Sequence, residues 1–143
     1  PVRGELLYRY PFLQFAEVTL AGNISGMAHR FVDLAEPLIK GREVNTDSVG
    51  IVMFHHAKEG LTLARNHFYQ VISRSWDELN VSKALSDMTR TNVSDASRLL
   101  VHRSSEVVNT LYPLCGMSGA NLSTEINRVW RNLSTALQHS LFR

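Results

Sequence analysis

Chemistry-bearing residues gather in the last third of this sequence. Arg128 and Arg131 stand three apart and Asn127 and Arg131 four apart, so each pair shares one face of a helix. His139 follows Arg128 by eleven residues. That is close to three turns, so on a continuous helix it projects from roughly the same side. That side is offset from the apolar residues Ile126, Leu133 and Leu137. An imidazole placed there could pass a proton, because its pKa lies near working pH. Arginines at a bundle surface and a histidine answering a helix dipole would produce the same spacing. Cys115 is the single cysteine and shares the chain with His102 and His139. A lone cysteine at a helix end reads first as a small buried hydrophobe.

A metal site is refused by the spacing. Di-iron bundles use Glu-x-x-His pairs, which point a carboxylate and an imidazole at one ion. No His here stands three residues after any Glu or Asp. His55-His56 with Glu59 has the reverse order and occurs once. Adjacent histidines diverge by about 100° on a helix and cannot chelate together. They read as one His at a bundle edge and one in solvent. A His-Glu-x-x-His motif, a P-loop and Gly-x-Gly-x-x-Gly are all absent from the sequence.

The elements that must position these residues are helical. In the first, Phe12, Ala16, Leu20, Ile24, Met27, Phe31, Leu34 and Leu38 recur at threes and fours. Pro11 suits a helix start and Gly41 a stop. Gly22 and Gly26 either weaken this helix or let a neighbour approach closely. Arg42 to Asn45 read as a loop, with Asn45 or Thr46 capping the next helix and Asp47 favourable to its dipole. The second helix carries Val49, Met53, Ala57, Leu61, Ala64, Phe68, Val71, Ser75 and Leu79. The third carries Leu85, Met88, Ala96, Leu99, Val107 and Leu111 until Pro113 and Gly116 end it. The fourth carries Ile126, Trp130, Leu133, Leu137 and Leu141. No stretch alternates with a strand period.

The pattern predicts four helices over 11–39, 46–79, 82–113 and 123–141. The first three would be roughly 40 to 50 Å long at 1.5 Å per residue. The expected fold is an all-α, antiparallel up-and-down four-helix bundle with Phe15, Phe31, Phe68, Leu99, Trp130 and Leu133 buried.

Composition narrows the function classes. The 143 residues are 44% hydrophobic and 20% charged, enough to build one core. A net charge of +2 without charged blocks gives no argument for nucleic acid or an anionic membrane. No window is long and apolar enough to span a bilayer. One cysteine excludes an intrachain disulfide and fits a reducing cytoplasm. Opening Pro1-Val2-Arg3-Gly4-Glu5 without Met or a signal-peptide layout, the sequence reads either as a complete small protein trimmed at its start or, in preference, as a piece cut from a longer chain at a domain border.

Two stretches carry a resemblance. Leu111-Tyr112, then Gly116-Met117-Ser118-Gly119, then Arg128-Val129-Trp130-Arg131-Asn132 and Thr135-Ala136-Leu137-Gln138-His139 resemble the C-terminal region of acyl-CoA dehydrogenase-fold flavoproteins. More narrowly they resemble the flavin-dependent monooxygenase branch, which acts on aromatic rings, sulfur heterocycles or amino sugars. Leu7-Tyr8-Arg9-Tyr10-Pro11-Phe12, running into Ala21-Gly22-Asn23-Ile24-Ser25-Gly26-Met27-Ala28, is similar to that family's passage from its middle β domain into the helical domain. The resemblance implies that residues 1–143 are one C-terminal helical domain whose parent also holds an N-terminal helical domain and a middle β domain. It implies a flavin, FAD or FMN, in that parent, a small-molecule substrate and a separate flavin reductase.

Two family chemistries compete. Common dehydrogenases place a catalytic Glu after the Arg-x-x-Arg-Asp segment, since the base for a carbon acid must be anionic. The corresponding count from Arg128 falls on Ser140, and no acid occurs after Glu125. The Arg-Gln-Phe-Gly-like stretch of many dehydrogenases is missing between Ile39 and Val44. Glu59 or Glu106 would be the base if the acid sits elsewhere on these helices. The monooxygenase branch has a His where His139 stands, which the resemblance implies deprotonates a substrate hydroxyl or assists at the flavin. The resemblance also implies that Gly116, Met117, Ser118 and Gly119, with Arg128, contact the flavin. Glycine there lets backbone amides approach phosphates, although Met117 stands where dehydrogenases usually have a second Gly. Arg131-Asn132 would brace the helix.

The expected function is therefore the C-terminal domain of a flavin-dependent monooxygenase. An acyl-CoA dehydrogenase domain and a non-catalytic four-helix oligomerisation module are the alternatives. Phe12, Leu13, Phe15 and Val18 on the first helix and Ile51, Val52 and Phe54 on the second exceed one stripe. That surplus predicts a homodimer or homotetramer.

Overall fold

Pro11, with φ at −59°, needs no N–H at a helix start and stands as N-cap of α1 (Phe12–Lys40). The computed structural model describes residues 5–42 and 48–142. The proposed caps Asn45, Thr46 and Asp47 lie outside the described residues. Ser48 caps α2 (Val49–Ser82), its hydroxyl accepting the Ile51 N–H at 3.3 Å. Lys83 ends α2 in the left-handed conformation, φ 61°.

The third helix begins later than its apolar pattern suggests. Ser86 caps α3 (Asp87–Leu111), and the Glu78 carboxylate accepts the Ser86 N–H at 2.7 Å and the Thr89 hydroxyl. These bonds favour a turn over 83–86 where the periodicity predicted helix from 82. Pro113 then forces a 3-10 turn over Tyr112–Cys115. The fourth predicted helix is shorter too: α5 spans Glu125–Ala136, followed by turns and a 3-10 turn over Ser140–Phe142. Gly116 to Gly119, expected as a loop, lie in a one-turn helix, α4 (Gly116–Ala120).

The four principal helices form the expected all-α up-and-down bundle, and no described residue lies in a strand. α3 packs along both α1 and α2, and α5 closes onto α1. Phe31, Phe54, Phe68, Leu100, Leu111 and Leu133 are the large side chains at the centre. Phe31, Phe68 and Leu133 are buried as predicted, and Trp130 is half-buried.

Phe15 and Leu99 are instead exposed, at 42% and 41%. In α3 the inward place belongs to the neighbouring Leu100. In α1 the inward stripe begins with polar residues, Gln14 and Glu17, before Ala21, Ile24, Ala28 and Phe31. Apolar counting therefore rotates the helix toward Phe12, which is 84% exposed.

Several buried polar residues are paired between elements, while Ser97 and Ser104 bond carbonyls within α3. The Glu17 carboxylate accepts the Ser94 hydroxyl and lies 3.3 Å from Arg98 Nη2, while Gln14 Nε2 donates to Ser94 Oγ at 3.1 Å. Tyr10 and Ser75 share a 2.8 Å hydrogen bond, and Arg65 Nη1 donates to Ser25 Oγ at 2.7 Å.

Gly22 and Gly26 let no neighbour come close, since a Cβ at either would meet nothing within 4 Å. They only weaken the helix. Gly26→Ala should therefore stabilise the chain by about 0.5–1 kcal/mol. A thermal melt should rise by about 3 °C; a fall would show that another surface covers this face.

Candidate functional site

α5 carries most of the expected site. Thr124 caps it, accepting the Asn127 N–H at 3.3 Å, and Glu125 in its first turn suits the dipole. Arg30 grips Glu125 with Nε and Nη2 at 2.9–3.0 Å, holding α5 against α1. Arg128, Arg131 and Asn132 are exposed. Arg131 and Asn132 have no side-chain partner among the described residues, so they do not brace the helix as expected. That role falls to Asn127, Thr124 and Trp130. Asn127 Nδ2 donates to the Gly119 carbonyl at 2.7 Å and the Thr124 hydroxyl to the Ser118 carbonyl at 2.8 Å. The Trp130 ring stacks on Tyr112 at 4.5 Å and 16°.

His139 is not on α5. The Leu137 N–H reaches back to Leu133 and Thr135, and the His139 N–H to the Ala136 carbonyl at 3.2 Å, which turns the chain out of the helix. The three-turn extrapolation from Arg128 thus fails. The exposed imidazole lies against α1 instead, in a cleft of about 310 Å³ lined by Phe12, Phe15, Ala16, Thr19, Leu20, Asn23 and Leu141. Its Nδ1 accepts the Leu141 N–H at 3.2 Å.

The glycine segment stands at the other end of α5, whose twelve residues span about 18 Å. His139 and Gly116–Gly119 therefore do not share one cleft within this chain. Gly116 adopts φ 57°, ψ −146°, a conformation almost confined to glycine. A Cβ there would stand 1.9 Å from Arg42 Nη1. That guanidinium crosses the bare backbone and reaches the Leu114 carbonyl at 3.5 Å. Gly119 is buried, and a Cβ on it would press on Cys115 Cβ at 3.1 Å. Met117 is 80% exposed. Burial pushes the Cys115 thiol up to about 11, against the opposing pull of Arg42, so the thiol is an inert core group.

Arg42 was missed by the sequence reading because it lies far from Gly116 along the chain. Phe12 and Phe15 were missed as site residues because they were assigned to the core. The Arg42 guanidinium thus fills the space over the bare Gly116 backbone, next to the exposed Met117. A cation beside backbone amides is a donor set that a phosphate would accept.

Glu59 and Glu106 border a separate groove between α2 and α3. Glu59 lines it with His56, His67 and Arg103, and Glu106 is paired with Arg103. Both His55 and His56 are exposed. No cluster of three or more His, Cys, Asp or Glu able to hold a metal occurs among the described residues. No helix among them is long and apolar enough to cross a membrane.

Fold and sequence together define the class. The residue profile described as "Acyl-CoA dehydrogenase, C-terminal domain" matches residues 16–143, and the chain belongs to this family. Among solved structures, it is similar to the HsaA monooxygenase from M. tuberculosis, at 18% identity and a TM-score of 0.87. The match covers 99% of this chain and 38% of that one, so the chain spans well under half of the monooxygenase's length. At that identity the likeness is one of fold. No curated protein matches the sequence.

Proposed function

We propose that this chain is the C-terminal helical domain of a longer flavin-dependent oxidoreductase, a monooxygenase that uses reduced flavin and O2 on a small organic substrate. One observation carries the reading. In a family whose dehydrogenases need a carboxylate base, this chain has no acid after Glu125 and instead sets His139 beside an aromatic cleft. Glu59 and Glu106, the alternative bases, border a different groove. The structural likeness to a monooxygenase supports the same reading.

In the parent, a bound reduced flavin (FAD or FMN, supplied by a separate reductase) would supply the two electrons for O2 activation. The chain's own contribution is local. Arg42 and the backbone of Gly116 to Gly119, with Arg128 on α5, would hold a phosphate, cation and backbone amides acting together. His139 would orient a substrate oxygen. Exposed Val52, Leu63 and Leu99 would be covered in a homodimer or homotetramer. The buried, unpaired Cys115 fits a reducing cytoplasm.

The test uses the product of the complete reading frame. It should bind FAD or FMN and consume O2 with chemically reduced flavin. It should leave acyl-CoA thioesters untouched when an artificial electron acceptor is offered. Thioester oxidation would make it a dehydrogenase, and failure to bind flavin would leave the interaction-module alternative.

A further inference from the structure

Gly60 leaves an opening on the outer side of the bundle. A Cβ there would meet nothing within 4 Å, and the space belongs to a groove of about 370 Å³ between α2 and α3. Leu63, one turn further along α2, stands on the rim with 62% of its surface exposed, and Leu99 faces the groove from α3. Leu63 does not close the opening, although it is Gly60's neighbour on the helix. A knob and an unfilled hole thus sit side by side on one exposed face.

A two-fold axis satisfies both at once. In an isologous contact each residue meets a residue that meets it in return. Two antiparallel copies of α2 that cross between residues 61 and 62 place Leu63 of each over Gly60 of the other. That register fixes the remaining pairs. His56 and His67 are exposed, line the same groove and are centred on the same point of α2. Each therefore lies beside the other residue of the second copy. The contact holds four imidazoles, in two pairs about 16 Å apart at 1.5 Å per residue.

The surrounding charges set the sign of a pH response. Glu59 on α2 and His102, Arg103 and Glu106 on α3 are the titratable and charged groups facing these histidines. Arg103 holds the Glu106 carboxyl below the usual carboxylate range through its hydrogen bond, with smaller pulls from His102 and His56. Glu106 and Arg103 therefore cancel between pH 5 and 8. Glu59 alone is left to offset two imidazolium charges per copy. Neutral imidazoles can share a hydrogen bond, one donating and one accepting, whereas two imidazoliums only donate and repel.

We propose that the groove between α2 and α3 seats α2 of a second copy of this chain, and that the His56–His67 pairs open this contact on acidification. The proposal rests on the homo-oligomer suggested above and adds its register and its regulation. An imidazole gains its charge between pH 8 and 5. The associated form binds fewer protons than the separated chains, so acid draws the equilibrium toward separation.

The test is sedimentation equilibrium of this chain at about pH 8 and about pH 5.5, the range over which imidazole titrates, with circular dichroism on the same samples. The dissociation constant should rise at least about tenfold at the lower pH while helicity is kept. His56→Gln combined with His67→Gln should associate at both pH values with one affinity. Gly60→Leu has room in the single chain, so its melting temperature should hold, yet it fills the seat of Leu63 and should abolish association. Association that ignores pH, that strengthens in acid, or that survives Gly60→Leu would overturn the proposal and leave the homo-oligomer standing on another face. Helicity lost at pH 5.5 along with association, or a pH response undiminished in the double variant, would overturn the histidine switch. A chain that is monomeric at pH 8 would remove the homo-oligomer as well.

Discussion

Replacing His139 with Ala in the complete protein is expected to lower product formation by roughly 10²–10⁴, the usual worth of a positioned acid–base group. Folding should barely change. The side chain is exposed and its one recorded side-chain bond is to an amide two residues away. If His139 only answered the end of α5, the substitution would cost about 0.3–1 kcal/mol of stability and leave turnover alone. Melting temperature and product formed per reduced flavin consumed, read on the same preparations, separate the two. An unchanged product yield would remove His139 from the site.

Arg98→Ala should destabilise the bundle by about 3 kcal/mol, more than an arginine with 58% of its side chain exposed would suggest. The reason lies in its partner. Glu17 has no solvent exposure, and without Arg98 its carboxylate would keep only the Ser94 hydroxyl. Adding Glu17→Gln to that variant should recover most of the loss, since a neutral amide needs no counter-charge and still accepts from Ser94. A double-mutant cycle in urea should show coupling of roughly 1–2 kcal/mol. Strictly additive effects would mean that the pair does not hold α1 to α3.

These two groups also mark where the sequence was legible. Apolar residues recur along α1 and α2 for about thirty positions, so those helices could be read almost to their ends. Glu17 could not. Its inward position depends on Ser94 and Arg98, which are 77 and 81 residues away, and a periodicity that scores only apolar side chains passes over it. That error sent Phe12 and Phe15 to the core when they line the cleft. The end of α5 was misplaced for a related reason. Leu137 and Leu141 keep a helical spacing, yet the chain turns at Ala136 and uses both for packing beyond the helix. His139 was named by a motif rather than by geometry, so that reading did not depend on the helical account that the turn after Ala136 overturns. Arg42 had no local signal, because its meaning comes from the bare backbone of Gly116.

The turn that carries His139 has one more consequence. The imidazole hangs on i→i+3 and i→i+2 bonds made by Ala136, His139 and Leu141, outside the cooperative ladder of α5. Those few bonds can open while the four long segments keep every buried contact. Fraying at the last few residues would thus move the imidazole without disturbing the scaffold, making the His139 turn and the bundle two separate units of cooperativity in one small chain.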